Sequence, residues 1–236
     1  MTVALFSDIH GNITALNAVL DEIDRRAPDA VYCLGDLVGY GASPNEVVET
    51  IRTRAIPTIM GNYDDGVGFD REECGCAYTR EDDRVRGDAS LKWTRAKVTD
   101  DNKRFLQQLA PQLRIGIGAR RVLLVHGSPR RMNEYLFEDR PESSFQRLAE
   151  GSEADLIAFG HTHKPYVKAV GGVTFLNIGS VGKPKDGDPR ACVALVTEST
   201  TEFVRVPYDI ATAAAAIRAT TLPEQFARDI ETGGRN

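Results

Sequence analysis

Val3-Ala4-Leu5-Phe6-Ser7-Asp8-Ile9-His10-Gly11-Asn12 is an apolar run that stops at a polar loop, and Ile13, Leu16, Leu20 and Ile23 follow at helical spacing. It reads as strand, loop, helix. The same grammar returns twice. Val31 to Leu34 stops at Gly35-Asp36, and a helix to about Arg54 follows, with Ser43 as N-cap, Pro44 at its first position and Glu46 at the capping-box position. Ile56 to Met60 is a third strand-like run and stops at Gly61-Asn62-Tyr63-Asp64. Apolar runs ending at Gly, Asp, Asn or His with helices between them are the pattern of βαβ units in a largely parallel sheet.

Further along the chain the rhythm changes. Residues from about 65 to 100 are rich in Asp, Glu, Arg and Gly, with a helical piece around Leu91-Lys92-Trp93, and read as an insertion lying over the site. A helix from Asn102 to about Leu109 precedes a hairpin of Leu113 to Ile117 and Val122 to Val125, which ends at His126-Gly127. Leu156 to Phe159 ends at Gly160-His161-Thr162-His163. Gly171-Gly172 turns a second hairpin, Ala191 to Val196 pairs with Phe203 to Val206, and helices around Ile210 to Thr220 and Pro223 to Ile230 close the chain. A parallel-rich first half and a hairpin-rich second half imply an α/β sandwich of two sheets packed face to face with helices outside.

The 236 residues suit one large domain spanning 1–236, and 42% hydrophobic with 27% charged residues is a globular composition. A net charge of -5 gives no electrostatic reason for tight nucleic-acid or membrane binding, so action on phosphate requires a local cluster that reverses the field. No stretch approaches a membrane span or a signal peptide, and a cytoplasmic location is expected. The four cysteines are too few for a disulfide framework. Cys33 and Cys192 read as core, and Cys74-Gly75-Cys76 as two thiols of the insertion, with a redox pair or an accessory metal site as alternatives.

All four histidines, His10, His126, His161 and His163, lie just past apolar runs, and Asp8, Asp36 and Asn62 occupy equivalent loops. Loops at the carboxyl ends of strands converge on one crevice, so these seven residues are predicted at one rim. A lone His or Asp in such a place is usually a structural residue or a helix cap; the clustering overturns that reading. Nitrogen and oxygen ligands without thiolate suit Mn, Fe, Zn, Co or Ni, with Mn the first expectation. Seven donors exceed the needs of one ion and suit two that share a carboxylate. Such pairs, about 3.5–4 Å apart, clamp a phosphoryl group and lower the pKa of the water between them.

Asp8-x-His10, Gly35-Asp36, Gly61-Asn62-x-Asp64, His126-Gly127 and Gly160-His161-x-His163, in this order, resemble the calcineurin-like metallophosphoesterase superfamily. Asn177-Ile178-Gly179-Ser180-Val181-Gly182 resembles the Asn-Pro-Gly-Ser-Val-Gly stretch of its small bacterial and archaeal phosphodiesterase members. The resemblance implies a four-layer αββα sandwich with two mixed sheets. It assigns Asp8, His10 and His163 to one ion, Asn62, His126 and His161 to the other, and Asp36 to both, and it makes Asp36, Asn62 and His126 catalytic. By the same pattern Asp64 supports the ligands from behind. The chain departs from the pattern twice: Gly39 stands where many members have a second Asp, and Tyr63 where larger members have a His that assists the leaving oxygen.

Arg130, Arg131, Lys183, Lys185 and Arg190 are candidate phosphate contacts or solvated loop cations. Tyr63 is expected at the cleft, and Asn12 either touches substrate or caps the first helix. The expected activity is hydrolysis of a phosphodiester, or also a phosphomonoester, of a small molecule or nucleotide. The alternatives are a dinucleoside polyphosphate or phosphoprotein as substrate, or a non-catalytic metal-binding scaffold.

Overall fold

A computed structural model describes residues 1–78 and 80–235. Its elements in chain order begin with β1 (Val3–Phe6), α1 (Ile13–Arg26), β2 (Ala30–Cys33), α2 (Pro44–Thr53), α3 (Asn62–Gly68), α4 (Glu81–Lys97) and α5 (Asp100–Gln107). The hairpin β3 (Gln112–Ile117) and β4 (Arg120–Val125) follows, then α6 (Glu142–Ala149), β5 (Leu156–Phe159), β6 (Tyr166–Val170) and β7 (Val173–Asn177). The hairpin β8 (Ala191–Val196) and β9 (Thr201–Val206) and the helices α7 (Ile210–Arg218) and α8 (Gln225–Thr232) end the series.

Two mixed sheets result, ordered β2-β1-β8-β9 and β3-β4-β5-β7-β6. β1 runs parallel to β2 and antiparallel to β8, while β5 runs parallel to both β4 and β7. Strand alternation sorts the core into three layers. Val3 and Leu5 face the second sheet and pack with Val122, Leu124, Leu156, Ala158, Leu176, Ala194 and Val196. Ala4 and Phe6 point the other way, onto Leu16 and Leu20 of α1, Val47 and Ile51 of α2, Val67 of α3 and Leu106 of α5. Behind the second sheet, Leu123, Ile157, Phe159 and Phe175 bury Phe145 and Leu148 of α6. The layers are helix, sheet, sheet, helix, as the resemblance implies. At about 1.5–3 kcal/mol for each fully buried large aliphatic side chain, the middle layer is what holds the two sheets face to face.

Three details differ from the sequence reading. Ile56 to Met60 is not a full strand: it touches β2 through a Cys33–Thr58 bridge and Ala110 through an Ile59 bridge. Pro57 removes one ladder donor from the run, and only its carbonyl is used, by Cys33 N–H at 3.0 Å. The 65–100 stretch is largely helical rather than irregular, since α3 runs to Gly68 and α4 covers 81–97. Ser43 precedes α2 but makes no side-chain cap bond, so the capping box is not formed there. Among the described residues no helix is long and apolar enough to cross a membrane.

Candidate metal centre

The seven predicted donors do meet. Asp8 and His10 follow β1, Asp36 follows β2, Asn62 begins α3, His126 follows β4, and His161 and His163 follow β5. None is more than 4% exposed, which rules out a solvated charge cluster. Donor atoms of Asp8, His10 and His163 converge on one point, and those of Asp36, His126 and His161 on a second. Asp36 Oδ2 lies 3.3 Å from His126 Nε2 and 3.6 Å from His10 Nε2, so it reaches both groups. Asn62 Oδ1 lies 3.2 Å from His126 Nε2, and His10 and His163 bring their Nε2 atoms within 3.2 Å of each other. Neighbouring donors held about 2.0–2.2 Å from a shared ion lie about 3 Å apart, which is the spacing seen here.

The imidazoles are aimed. Nδ1 of His10, His126 and His163 faces the carbonyl oxygens of Val38 (3.0 Å), Leu34 (2.7 Å) and Lys183 (2.5 Å), which sets the Nδ1–H tautomer and turns each Nε2 lone pair inward. Asp8 divides its oxygens: Oδ2 accepts the His161 N–H at 3.0 Å, while Oδ1 has no hydrogen-bond partner at all. His161 Nε2 is also buried without a partner. Orphaned buried polar atoms are costly unless a ligand satisfies them, and two of them pointing into a mixed imidazole and carboxylate cluster are what a divalent ion would complete. The donor set therefore fits two transition-metal ions.

Burial and mutual charge shift the groups of the cluster in opposite directions. Burial works to raise the carboxyl of Asp8, yet His163, His126 and His10 around it hold it well below the usual range, and Asp36 is lowered against its own burial by His126 and His10. Burial, reinforced by Lys185, pushes His163 down to about 3, and burial with His126 does the same to His161. His126 is driven the opposite way, to about 10, because Asp36 and Asp8 outweigh its desolvation.

Such a cluster needs fixed loops, and the backbone shows the strain. Asp8, His10, Asp36, His161 and His163 all have positive φ, between 50° and 65°, a region sparsely populated by residues other than Gly. Pins offset that strain. Asp64 accepts N–H bonds from Asp36 (2.8 Å), Leu37 (2.9 Å) and Gly61 (3.0 Å), which ties two ligand loops together; burial and the neighbouring Asp36 charge still push its carboxyl up to about 7. Asn177 bonds Gly160 O and Thr162 Oγ1, while Ser180 Oγ and Gly182 N–H reach Asp8 O.

The expected substrate contacts are less uniform. Asn12 is an N-cap: Oδ1 accepts from Ala15 N–H at 3.0 Å, and Nδ2 bonds Gly182 O. Arg130 pairs with Glu134 at 2.5 Å, and with Arg131 it lines an outer groove beside Tyr135 instead of the centre. Tyr63 is 1% exposed, with its ring 4.6 Å from that of Tyr40 and edge-on to His10 at 5.6 Å, so it packs behind a ligand instead of facing the cleft. Sequence reasoning missed Tyr135, whose ring lies 4.0 Å from that of His161, because it sits in a loop with no periodic signal. It also left Cys74 and Cys76 unplaced, although Asn62 Nδ2 donates to Cys74 O and Cys76 Sγ.

The two departures from the family pattern turn out to be one contact. A Cβ on Gly39, whose φ is +95°, would come within 2.3 Å of the Tyr63 ring. Gly39→Ala should therefore cost about 2–6 kcal/mol from strain plus overpacking. In Tyr63→Ala the same substitution should cost less, by about 0.5–3 kcal/mol. Denaturant unfolding of the four proteins in chelator checks this, and strictly additive losses would show that the pair is not coupled.

The comparisons with known proteins agree with this geometry. The family described as the calcineurin-like phosphoesterase superfamily domain matches residues 1–201. An uncharacterised protein of Methanocaldococcus jannaschii is 36% identical over 242 residues, covering 94% of each chain. A phosphodiesterase of Escherichia coli is 24% identical over 201 residues, covering 81% of this chain and 85% of its own. The crystal structure of a metallophosphoesterase from Sphaerobacter thermophilus superposes with a TM-score of 0.77 at 28% identity, covering 99% of both chains. With the fold, the paired His and Asp clusters and this match over most of its length, the chain belongs to the calcineurin-like phosphoesterase superfamily.

Proposed function

We propose that the chain hydrolyses phosphodiesters of small molecules or nucleotides, using Asp8, His10 and His163 for one divalent ion, Asn62, His126 and His161 for a second, and Asp36 for both. The observation that carries this reading is the pair of orphaned buried donors, Asp8 Oδ1 and His161 Nε2, within two converging triads. Manganese is the first candidate metal, and Fe, Zn, Co or Ni have the same ligand preference. When bound, such ions supply Lewis acidity toward phosphoryl oxygens and a nucleophilic water near neutral pH. The protein's part is to hold the phosphoryl group and exclude alternatives. All four histidines belong to the cluster and Tyr63 is buried with its phenol pushed far up by desolvation, which leaves no imidazole or accessible Tyr63 proton for the leaving oxygen. Diesters with a good leaving group suit that inventory better than alkyl monoesters.

A cleft of about 290 Å³ beside the centre supports a nucleotide-sized substrate. Tyr40, Tyr78, Tyr135 and Phe226 give it aromatic walls, and Lys183 and Lys185 give it cations. Lys183 is already committed, to Asp229 at 2.5 Å, and lies over the Tyr40 and Phe226 rings. Lys185 has no carboxylate partner among the described ion pairs, and burial with Lys183 nearby pulls its ammonium down to about 8. A poorly solvated, unpaired cation next to a phosphate-directed centre is a natural second-phosphate contact. Asp83, Arg86 and Gly87 of α4 form one wall, so the 65–100 insertion shapes substrate preference, as a cover over part of the site.

Metal analysis and kinetics test the reading together. Wild type should bind about two Mn ions per chain and turn over bis(p-nitrophenyl) phosphate with higher kcat/KM than glycerol phosphate. Asp36→Asn should lower that rate by about 100-fold or more and reduce metal content, because an amide cannot offset two dications. Near-normal turnover with both ions bound would remove the bridging role, and bound metal in wild type without turnover of either ester would favour the scaffold alternative. Lys185→Ala should raise KM about 10-fold for a dinucleoside polyphosphate, the loss of one charge-assisted bond, and much less for the aryl diester. Equal effects on both substrates would rule out the second-phosphate contact.

A further inference from the structure

The Cys74-Gly75-Cys76 turn lies against the metal centre, yet hydrolysis makes no use of it. Its two sulfurs are 2.7 Å apart, only about 0.7 Å beyond the covalent length of about 2.05 Å. Both side chains are half-buried, so small oxidants reach them, whereas Cys33 and Cys192 are buried in the core. The turn is already shaped for closure. Gly75 takes φ +68°, and its carbonyl accepts Asn133 Nδ2 at 2.9 Å. On the other side Asn62 Nδ2 donates to Cys74 O at 3.1 Å and to Cys76 Sγ at 3.2 Å. Those two bonds are what turn Asn62 Oδ1 toward His126.

We propose that Cys74 and Cys76 are a redox modification site: peroxide closes them into a disulfide that withdraws the Cys76 sulfur from the Asn62 amide and weakens the ion site on the Asn62, His126 and His161 side. The bond-forming half stands on the thiols alone; the coupling rests on the metal reading above. One sulfur attacks a peroxide oxygen, the O–O bond breaks, and the released hydroxide leaves as water, giving a sulfenic acid. The second sulfur then attacks the first and expels its hydroxyl, which takes the remaining thiol proton and leaves as a second water. Two thiols are oxidised to one disulfide and one hydrogen peroxide is reduced to two waters. A dithiol reductant reverses the change. Cys76 acts here as a positioning residue for Asn62, and loss of such a support behind a metal ligand typically costs about 10–100-fold in metal affinity.

The experiment uses the full chain stripped of metal, treated with hydrogen peroxide and then freed of it. Thiol titration after unfolding should fall from the four free cysteines to two, and the tryptic peptide of residues 72–80, which holds Cys74 and Cys76 alone, should lose two hydrogens in mass. Calorimetric titration with Mn²⁺ should show one of two binding steps weakened about 10–100-fold, restored by dithiothreitol. Cys74→Ser and Cys76→Ser should each bind Mn²⁺ identically before and after peroxide. The proposal is overturned if the peptide keeps both thiols or gains only oxygen, or if the disulfide forms and the Mn²⁺ isotherm stays the same. If the disulfide forms but neither state binds Mn²⁺, the metal reading and the coupling fall while the modification site stands.

Discussion

Asp8 sits with no solvent exposure between the loops that follow β1 and β5, interior strands of the two sheets, and the site depends on how its two oxygens are divided. One accepts the His161 backbone N–H and so fastens the loop after β5 to the loop after β1. The other is left bare among imidazoles. The first bond crosses between sheets and the second oxygen supplies the ligand, so docking of the layers and assembly of the centre are the same event. A bare carboxylate oxygen at that depth is tolerable only where a cation compensates it. Asp8 therefore ties the packing of the two sheets to the arrangement of the candidate metal centre.

That coupling explains why the loops accept left-handed backbone at five donor positions. A residue at positive φ throws its side chain and carbonyl in directions that a strand end cannot reach otherwise. Each such residue is held by a pin: Asp64 for the Asp36 loop, Ser180 and Gly182 for Asp8, the Asp36 carbonyl that accepts the His10 N–H, and Asn177 for the loop of His161 and His163. The Asn177 to Gly182 stretch thus works as a clasp behind the ligands.

Much of this was legible because the chemistry follows strand ends. An apolar run that stops at Asp, Asn or His announces both the strand and the rim residue, so the sequence alone gathers the seven donors. What was not legible had no periodicity to read. α4 buries Gly87, Ser90, Leu91 and Thr94, mostly small or polar side chains, so no apolar stripe marks it and its charged faces read as an irregular insertion. The Ile56 to Met60 run differs the other way: its apolar pattern is that of a strand, but past Pro57 it pairs only through single bridges, Thr58 to Cys33 and Ile59 to Ala110. Tyr135 and the two thiols reach the centre on loops, where only tertiary structure decides the direction of a side chain.

The two halves of the centre are consequently not equivalent. The His10 and His163 half is backed by Tyr40 and Tyr63, and Tyr63 in turn fills the space that Gly39 leaves open. Both departures from the family pattern lie on this side, and together they replace a polar support with close aromatic packing. The Asn62, His126 and His161 half is backed by Tyr135 and by the sulfur of Cys76, at the wall where the cleft opens. An imidazole fixed by packed rings and a backbone carbonyl has little freedom to reorient, whereas an amide held by a carbonyl and a thiol depends on a weak acceptor. The second half is therefore the less rigidly held of the two, and it lies beside the cleft wall formed by Ala77, Tyr78 and Tyr135.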